Sequence, residues 1–261
     1  MLTSASNLAA LNEAKVYAGS AVKPAFRAND TTDIWGARGS SYGKSASRPF
    51  RTVDLAQVSK AKLTDLGLYS ITFVNDVEAD LRSLEAFKAF RADAAANGIK
   101  YFLEVFNPNI DAKVAPADLG SFVNDNVARC LSGVLKADRP QFLKYPYNGP
   151  KALEELVAFD PGLVVGVLGG GAGTTRDTFE LLYQAEKYGA RVALFGRKIN
   201  LAESQLDIVR FMREVADGRL KPLEAVRAYH AELKSKKLPS VRSLEDDSKV
   251  TEAVLQQAAS G

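Results

Sequence analysis

The 261-residue chain contains one histidine, one cysteine and one tryptophan. With His230 alone and no cysteine close to it in sequence, a zinc site has no soft ligand set to draw on. A Ser-His-Asp triad would have to use His230, and no nucleophile elbow accompanies it. Cys130 has no partner for an internal disulfide, which fits a reducing cytoplasm. It falls in a helical pattern, Phe122 to Leu135, and reads as a small buried apolar residue. There is no run of eighteen apolar residues and no charged-then-apolar leader, so we expect no membrane span, no signal peptide and a cytoplasmic location. The net charge of +3 is small and evenly spread, which argues against nucleic acid as a partner. No Gly-x-Gly-x-x-Gly with a trailing acidic residue occurs, which counts against a dinucleotide site. Asp246 and Asp247, adjacent in a polar tail, read as solvated charges. Neither a metal nor a cofactor is called for.

What is present is an ordinary globular composition, 46% hydrophobic, at the usual length of one large α/β barrel. Short β-branched and aromatic runs predict six strands, over Val22 to Arg27, Leu68 to Val74, Lys100 to Phe106, Phe142 to Tyr147, Leu163 to Leu168 and Ala190 to Phe195. Helices are expected over Leu2 to Tyr17, with Ser4 or Ser6 as cap, and over Arg176 to Tyr188, where Asp177 and Glu180 suit the first turn. Leu201 to Ala216 and Leu223 to Leu233 follow, the latter carrying His230. A weak helix is expected over Leu244 to Ala259. Residues 219–261 read as a helical arm on a barrel domain of residues 1–218, not as a second domain.

Lys144 stands out among the polar residues. It lies inside Phe142-Leu143-Lys144-Tyr145-Pro146-Tyr147, and a lysine in a buried strand must pair or shed its proton. The neutral amine is the nucleophile that forms Schiff bases with carbonyls. The plainer alternative is an ammonium that emerges at the strand end to meet a carboxylate. The next two strands each run into glycine, at Gly169-Gly170-Gly171 and at Gly196-Arg197-Lys198. Glycines there let backbone amides approach an anion, and a following helix start adds its dipole. They equally suit plain tight turns.

The order Leu143-Lys144-Tyr145-x-Tyr147, Gly169-Gly170-Gly171, Phe195-Gly196-Arg197 resembles the archaeal-type class I fructose-bisphosphate aldolases, whose branches include the phospho-autoinducer-2 thiolase. Leu66 to Phe73 and Phe102 to Pro108 add to the likeness, which spans residues 22 to 204. The resemblance implies a TIM (β/α)8-type barrel with Lys144 as the Schiff-base nucleophile on strand six. It also implies the backbone of Gly170, Gly171, Gly196 and Arg197 as a phosphate cradle, and a phosphorylated small molecule as substrate. Two features depart from the family. The strand-five tyrosine is replaced by Phe106, which leaves Glu104, two residues earlier and so on the same strand face, as the nearest acid or base. Glu104 equally suits an ion pair with a lysine or arginine inside the barrel. By the family alignment Val22 to Arg27 would be strand three, so the first two strands, with a catalytic aspartate, would precede Met1. A homo-oligomer, a partner chain completing the barrel, or cover from the N-terminal residues and the C-terminal arm is therefore expected.

The segment Asn29 to Thr52 is rich in Gly, Ser and Arg and has no apolar period. A connection this long is disordered or functional. Following a barrel strand, it would emerge on the C-terminal face, where active sites lie. Arg27, Asp30, Asp33 and Trp35 are its candidate substrate residues, with Asp30 or Asp33 as substitute for the absent aspartate. Arg38, Lys44, Arg48 and Arg51 add a positive field. Three functions stay open: a Schiff-base lyase cleaving or forming a C–C bond in a phosphorylated ketone, a thiolase- or acyltransferase-like member of the same family, and a non-catalytic barrel that binds a ligand or partner.

Overall fold

Short runs of apolar, β-branched and aromatic residues, buried on both faces, set the main strands of the first half. The structure, a computed structural model, describes residues 1–34, 37–169 and 173–259. It divides into two compact units, residues 1–143 and 144–261. The first unit runs β1 (Leu2–Thr3), α1 (Ala5–Glu13), β2 (Ala25–Arg27), β3 (Asp30–Thr31), β4 (Pro49–Phe50), α2 (Leu55–Lys60), β5 (Leu66–Thr72), α3 (Val77–Ala96), β6 (Lys100–Phe106) and α4 (Leu119–Ser132). Its main strands lie in the order β1-β2-β5-β6, every neighbouring pair parallel.

Strand alternation divides the side chains of β5 and β6 between two faces. Tyr69 and Tyr101 point to α3, where both meet Phe90, Tyr69 stacked at 4.4 Å and Tyr101 edge-on at 5.3 Å. Ser70 and Thr72, paired in register with Glu104 and Phe106, therefore occupy the opposite face. Burial of the helix-facing aromatics is the main source of stability here, at about 25 cal/mol per Å² of apolar surface.

The expected strand over Lys100 to Phe106 forms with those bounds, and the others form in part. β2 is cut to Ala25–Arg27 because Pro24 has no N–H to give a ladder. The expected helix from Leu2 starts only at Ala5, capped by the Ser4 side chain, which accepts from the Asn7 amide. Leu2 and Thr3 instead form a strand on the outer edge of β2, and the Ala25 amide donates to the Met1 carbonyl at 2.8 Å. This makes seven main strands among the described residues where six were expected. The reason is that an open parallel edge exposes unpaired backbone groups, and the chain start lies within reach to satisfy them. Residues 29–52, expected without regular structure, hold the antiparallel pair β3–β4 and two 3₁₀ turns.

β7 (Leu143–Tyr145) crosses the division between the units. The second unit continues with α5 (Pro150–Phe159), β8 (Val165–Leu168), α6 (Thr175–Lys187), β9 (Val192–Leu194), α7 (Arg197–Asn200), α8 (Gln205–Ala216), α9 (Pro222–Ser235), α10 (Leu244–Asp247) and α11 (Ala253–Gln256). β8 and β9 pair in parallel. Phe179 and Leu182 of α6, Phe211 and Met212 of α8, and Val226 and Tyr229 of α9 form one buried core, so α9 packs as part of this unit. The expected helix Leu201 to Ala216 is broken: it restarts at Gln205, and the Ser204 amide goes to the Tyr229 hydroxyl at 3.2 Å. The expected terminal helix splits into α10 and α11 because the Thr251 and Glu252 amides go to the Asp177 carboxylate instead of a helix carbonyl. Among the described residues no helix is long and apolar enough to cross a membrane.

Two glycines at the strand exits differ in what surrounds them. A Cβ on Gly169 would lie 2.5 Å from a ring carbon of Phe195, whereas a Cβ on Gly196 would meet nothing within 4 Å. Gly196 has φ of −119°, which any residue adopts. We expect Gly169→Ala to destabilise the protein by about 1–3 kcal/mol through overpacking and Gly196→Ala to stay within about 0.5 kcal/mol of wild type. Urea unfolding of the two variants checks both, and equal losses would show that both glycines serve packing.

Candidate functional site

The first unit gathers four of the sequence candidates. Arg27 leaves β2 on the face that carries Ser70 and Glu104. Its guanidinium Nη1 lies 3.6 Å from Glu104 Oε2 and 3.7 Å from Asp30 Oδ1. Ser70 Oγ donates to Glu104 Oε2 at 2.8 Å, and Glu104 is only 2% exposed. A buried carboxylate needs such partners to stay charged, so the ion-pair alternative for Glu104 is realised in the geometry. Asp30 differs. Burial pushes its carboxyl above the usual range, Arg27 opposes this, and the nearby Glu104 charge adds to it. Asp33 is held by Ser47, whose Oγ donates at 2.6 Å, and by Thr72 at 3.3 Å.

Asn29, which carries no local signal in the sequence, fixes the start of this cluster. Its side chain accepts from the Ser70 amide at 2.6 Å and donates to the Ser70 carbonyl at 2.8 Å. It imitates a strand neighbour, a use open to any Asn in a loop. The positive field expected of residues 29–52 is reduced, because Arg51 pairs with Asp93 of α3 at 2.7 Å and Arg27 with Glu104. Trp35 lies outside the described residues, as do Gly170 and Gly171.

The second unit holds Lys144, Gly196 and Arg197. Lys144 is half-buried in β7 between the fully buried Leu143 and Tyr145. Burial raises the pKa of both neighbouring tyrosines, Tyr145 and Tyr147, and Tyr147 donates to Gln184 Oε1 at 2.7 Å. Gly196 and Arg197 open the short helix α7. Cys130, in α4 of the first unit, is buried and its thiol is pushed up to about 12, which makes it inert, as expected.

The start of α6 was expected to offer its amides and dipole to a ligand anion. The chain supplies its own anions there. Thr174 and Asp177 form a capping box, and the Thr175 amide donates to Asp247 Oδ1 at 2.7 Å. Asp247, expected to be a solvated charge, is 3% exposed, and its other oxygen lies 2.9 Å from His230 Nε2. Tertiary docking overrides the polarity of its neighbours: an anion at a helix start is stabilised. His230 pairs with Asp247 here.

Beside α6 lies an open cavity of about 220 Å³. Lys198 Nζ on its wall donates to the carbonyls of Gly173 and Thr174. Burial, and then the nearby Arg242 charge, hold its pKa below the usual lysine value. Lys198 was visible in sequence only as part of a turn, and Arg242 carried no signal. Among the described residues no cluster of His, Cys, Asp and Glu could hold a metal ion.

The arrangement of parallel strands and helices defines an α/β barrel of the TIM type that is incomplete in this chain. Solved structures show the same fold. An archaeal fructose 1,6-bisphosphate aldolase matches at 17% identity with a TM-score of 0.60, over 82% of this chain and 81% of that one. An archaeal fructose-1,6-bisphosphate aldolase with its catalytic lysine bound to the substrate's carbinolamine intermediate matches at 16% identity, with a TM-score of 0.60, over 82% and 77%. A Schiff-base-forming fructose-1,6-bisphosphate aldolase matches at 16%, with a TM-score of 0.59, over 77% and 73%. At these identities the likeness is one of fold. No family model and no curated protein sequence matches the chain.

Asp177 ties the exit of β8 to the C-terminal segment, accepting from the amides of Thr174, Thr251 and Glu252 at 2.8, 2.7 and 3.2 Å. Burial raises its pKa, but the hydrogen bonds from Thr251, Thr174 and Glu252 outweigh it and leave the carboxyl below its usual value. A depressed carboxylate contributes stability that is present above the unfolded pKa and lost as pH falls through the folded one. Asp177→Ala should therefore cost about 1–3 kcal/mol at pH 7, with the difference from wild type shrinking below about pH 4. It should also speed proteolytic cleavage within residues 241–257. Unfolding curves at pH 7 and pH 3 measure the first effect, and a cleavage time course the second.

Proposed function

We propose that the chain is a Schiff-base lyase of the class I aldolase type, acting on a phosphorylated ketone through Lys144. The observation that carries this reading is a half-buried lysine on a barrel strand in a fold shared with aldolases that form Schiff bases. The neutral amine attacks the ketone carbon, and the carbinolamine loses water to give an iminium. A base takes the proton from the hydroxyl on the carbon β to the iminium, that carbon leaves as an aldehyde or ketone as its bond to the α carbon breaks, and the bond's electron pair enters the iminium to give an enamine. Reprotonation and hydrolysis release the second product and free the lysine.

Gly196 supports an anion at the exit of β9, since neither its φ nor its surroundings demand a glycine. A backbone kept bare for a close approach explains it. Within the first unit, burial pushes the Asp30 carboxyl up, and Glu104 is held by Ser70 and Arg27. The commitment of Glu104, with Phe106 in place of a tyrosine, favours as second reading a barrel that binds the same ligands without turnover. Residues 219–261 belong to this barrel as an arm. Self-association, or a second chain, would serve the outer edge of β9, whose only strand neighbour among the described residues is β8.

Incubation with dihydroxyacetone phosphate and borohydride should add one reduced ketone to the protein mass, and Lys144→Ala should abolish the adduct. The same substitution should lower any retro-aldol rate by roughly three orders of magnitude or more. An adduct that persists in Lys144→Ala would move the chemistry to another lysine. Anion binding without an adduct from any phosphorylated ketone would establish the second reading.

A further inference from the structure

We propose that the open cavity at the start of β5 and β6 binds a small aromatic carboxylate, held by the ammonium groups of Lys23 and Lys100. The site lies wholly in the first unit and does not rest on imine formation at Lys144. It has a volume of about 310 Å³ and is lined by Lys23, Asp65, Leu66, Lys100, Gln141 and Phe142. Lys23 lies shortly before β2, Asp65 just before β5, and Lys100 is the first residue of β6. The run of strand from Lys100 to Glu104 spans about 13 Å at roughly 3.3 Å per residue. The cavity is therefore at the opposite strand end from the side where barrel enzymes react.

The wall carries two ammonium groups and one carboxylate, an excess of one positive charge. Asp65 is engaged with Lys23, in an ion pair whose side chains are 54% and 58% exposed. The Lys23 ammonium beside it holds the Asp65 carboxyl below its usual value, and Lys100 adds to this as a charge, without a hydrogen bond. Among the described residues no hydrogen bond or ion pair holds the Lys100 ammonium. An ion pair this open to water is weak, so Lys23 can turn to a second anion at little cost. A monoanion that bonds to both ammonium groups neutralises the wall.

Hydrogen bonds between neighbouring segments hold the lining in place. Thr64 Oγ1 donates to the Pro24 carbonyl at 2.8 Å. The Lys100 amide donates to the Asp65 carbonyl, and the Gln141 amide to the Tyr101 carbonyl, each at 2.8 Å. A ligand therefore meets a preformed cleft. The Phe142 ring stacks on Phe102 at 4.5 Å, which fixes its plane, and Leu66 adds an aliphatic side. A flat ring on the ligand finds an aromatic partner in Phe142. The Gln141 side-chain amide, without a partner among the described residues, has donors for the carboxylate. Acetate would reach the ammonium groups but leave the ring uncovered.

Chemical-shift titration of the ¹⁵N-labelled protein at low salt, with benzoate and with acetate, tests the assignment. Benzoate should shift the backbone amides of Leu66, Lys100 and Gln141 and bind roughly tenfold tighter than acetate, by covering the Phe142 ring. Lys100→Gln, at an exposed position, should weaken benzoate roughly fivefold by loss of a charge-assisted contact. Asp65→Asn, which releases Lys23 from its pair, should tighten benzoate by roughly the same factor. The opposite signs separate binding from damage to the fold, which would weaken both variants. Absence of shifts at these amides, unchanged affinity in Lys100→Gln, or weaker binding to folded Asp65→Asn would overturn the proposal. Equal affinity for benzoate and acetate would overturn it as well, since the ring would then contribute nothing. Benzoate has no ketone, so borohydride trapping at Lys144 with dihydroxyacetone phosphate, run on the same variants, reports separately on the lyase reading.

Discussion

The second unit depends on one buried carboxylate. Asp177 caps α6, receives the amides of Thr251 and Glu252, and takes a hydrogen bond from the Thr251 hydroxyl. A charge this deeply buried costs several kcal/mol unless donors surround it, and here the donors come from two parts of the chain some seventy residues apart. The same carboxylate explains Gly173, where a Cβ would collide with it. It also explains why the terminal helix breaks in two. Asp247 repeats the pattern at the same helix start, accepting from Thr175 while His230 holds its other oxygen.

The consequence is that the helix start after β8, which has the chemistry of an anion site, is served from within. The glycine-rich exits thus do different work. Gly169 makes room for Phe195, Gly173 makes room for Asp177, and a Cβ on Gly196 would meet nothing within 4 Å among the described residues. In the first unit a comparable economy holds for charge: Arg27 neutralises Glu104 and reaches Asp30, so the least compensated acid there is Asp30 rather than the carboxylate on the strand.

Much of the fold is legible in the amino-acid sequence. The strand over Lys100 to Phe106 forms as its apolar and aromatic run predicts, because a parallel strand covered on both faces writes a short, nearly continuous apolar stretch into its sequence. Lys144 stands out because a lysine inside an apolar run is rare for a physical reason, the cost of desolvating an ammonium. The helix α6 announces its first turn through Asp177. The shared face of Glu104 and Phe106 follows from alternation alone.

Other features depend on partners far away in sequence. Leu2 and Thr3 carry no strand signal, and they become a strand because β2 offers an unsatisfied edge. Asp247 looks solvated beside Asp246, and it is buried because a helix start and an imidazole sit where the C-terminal segment docks. Asn29 and Arg242 are unremarkable in any local window. Local periodicity and desolvation cost are properties of a segment, so the sequence by itself determined the α/β alternation, the helix caps and the suspicion that falls on Lys144. Which donor meets which acceptor is decided by how distant segments pack, so only the tertiary structure decided the pairing of Glu104 with Arg27, the burial of Asp247 and the cavity that Lys198 lines.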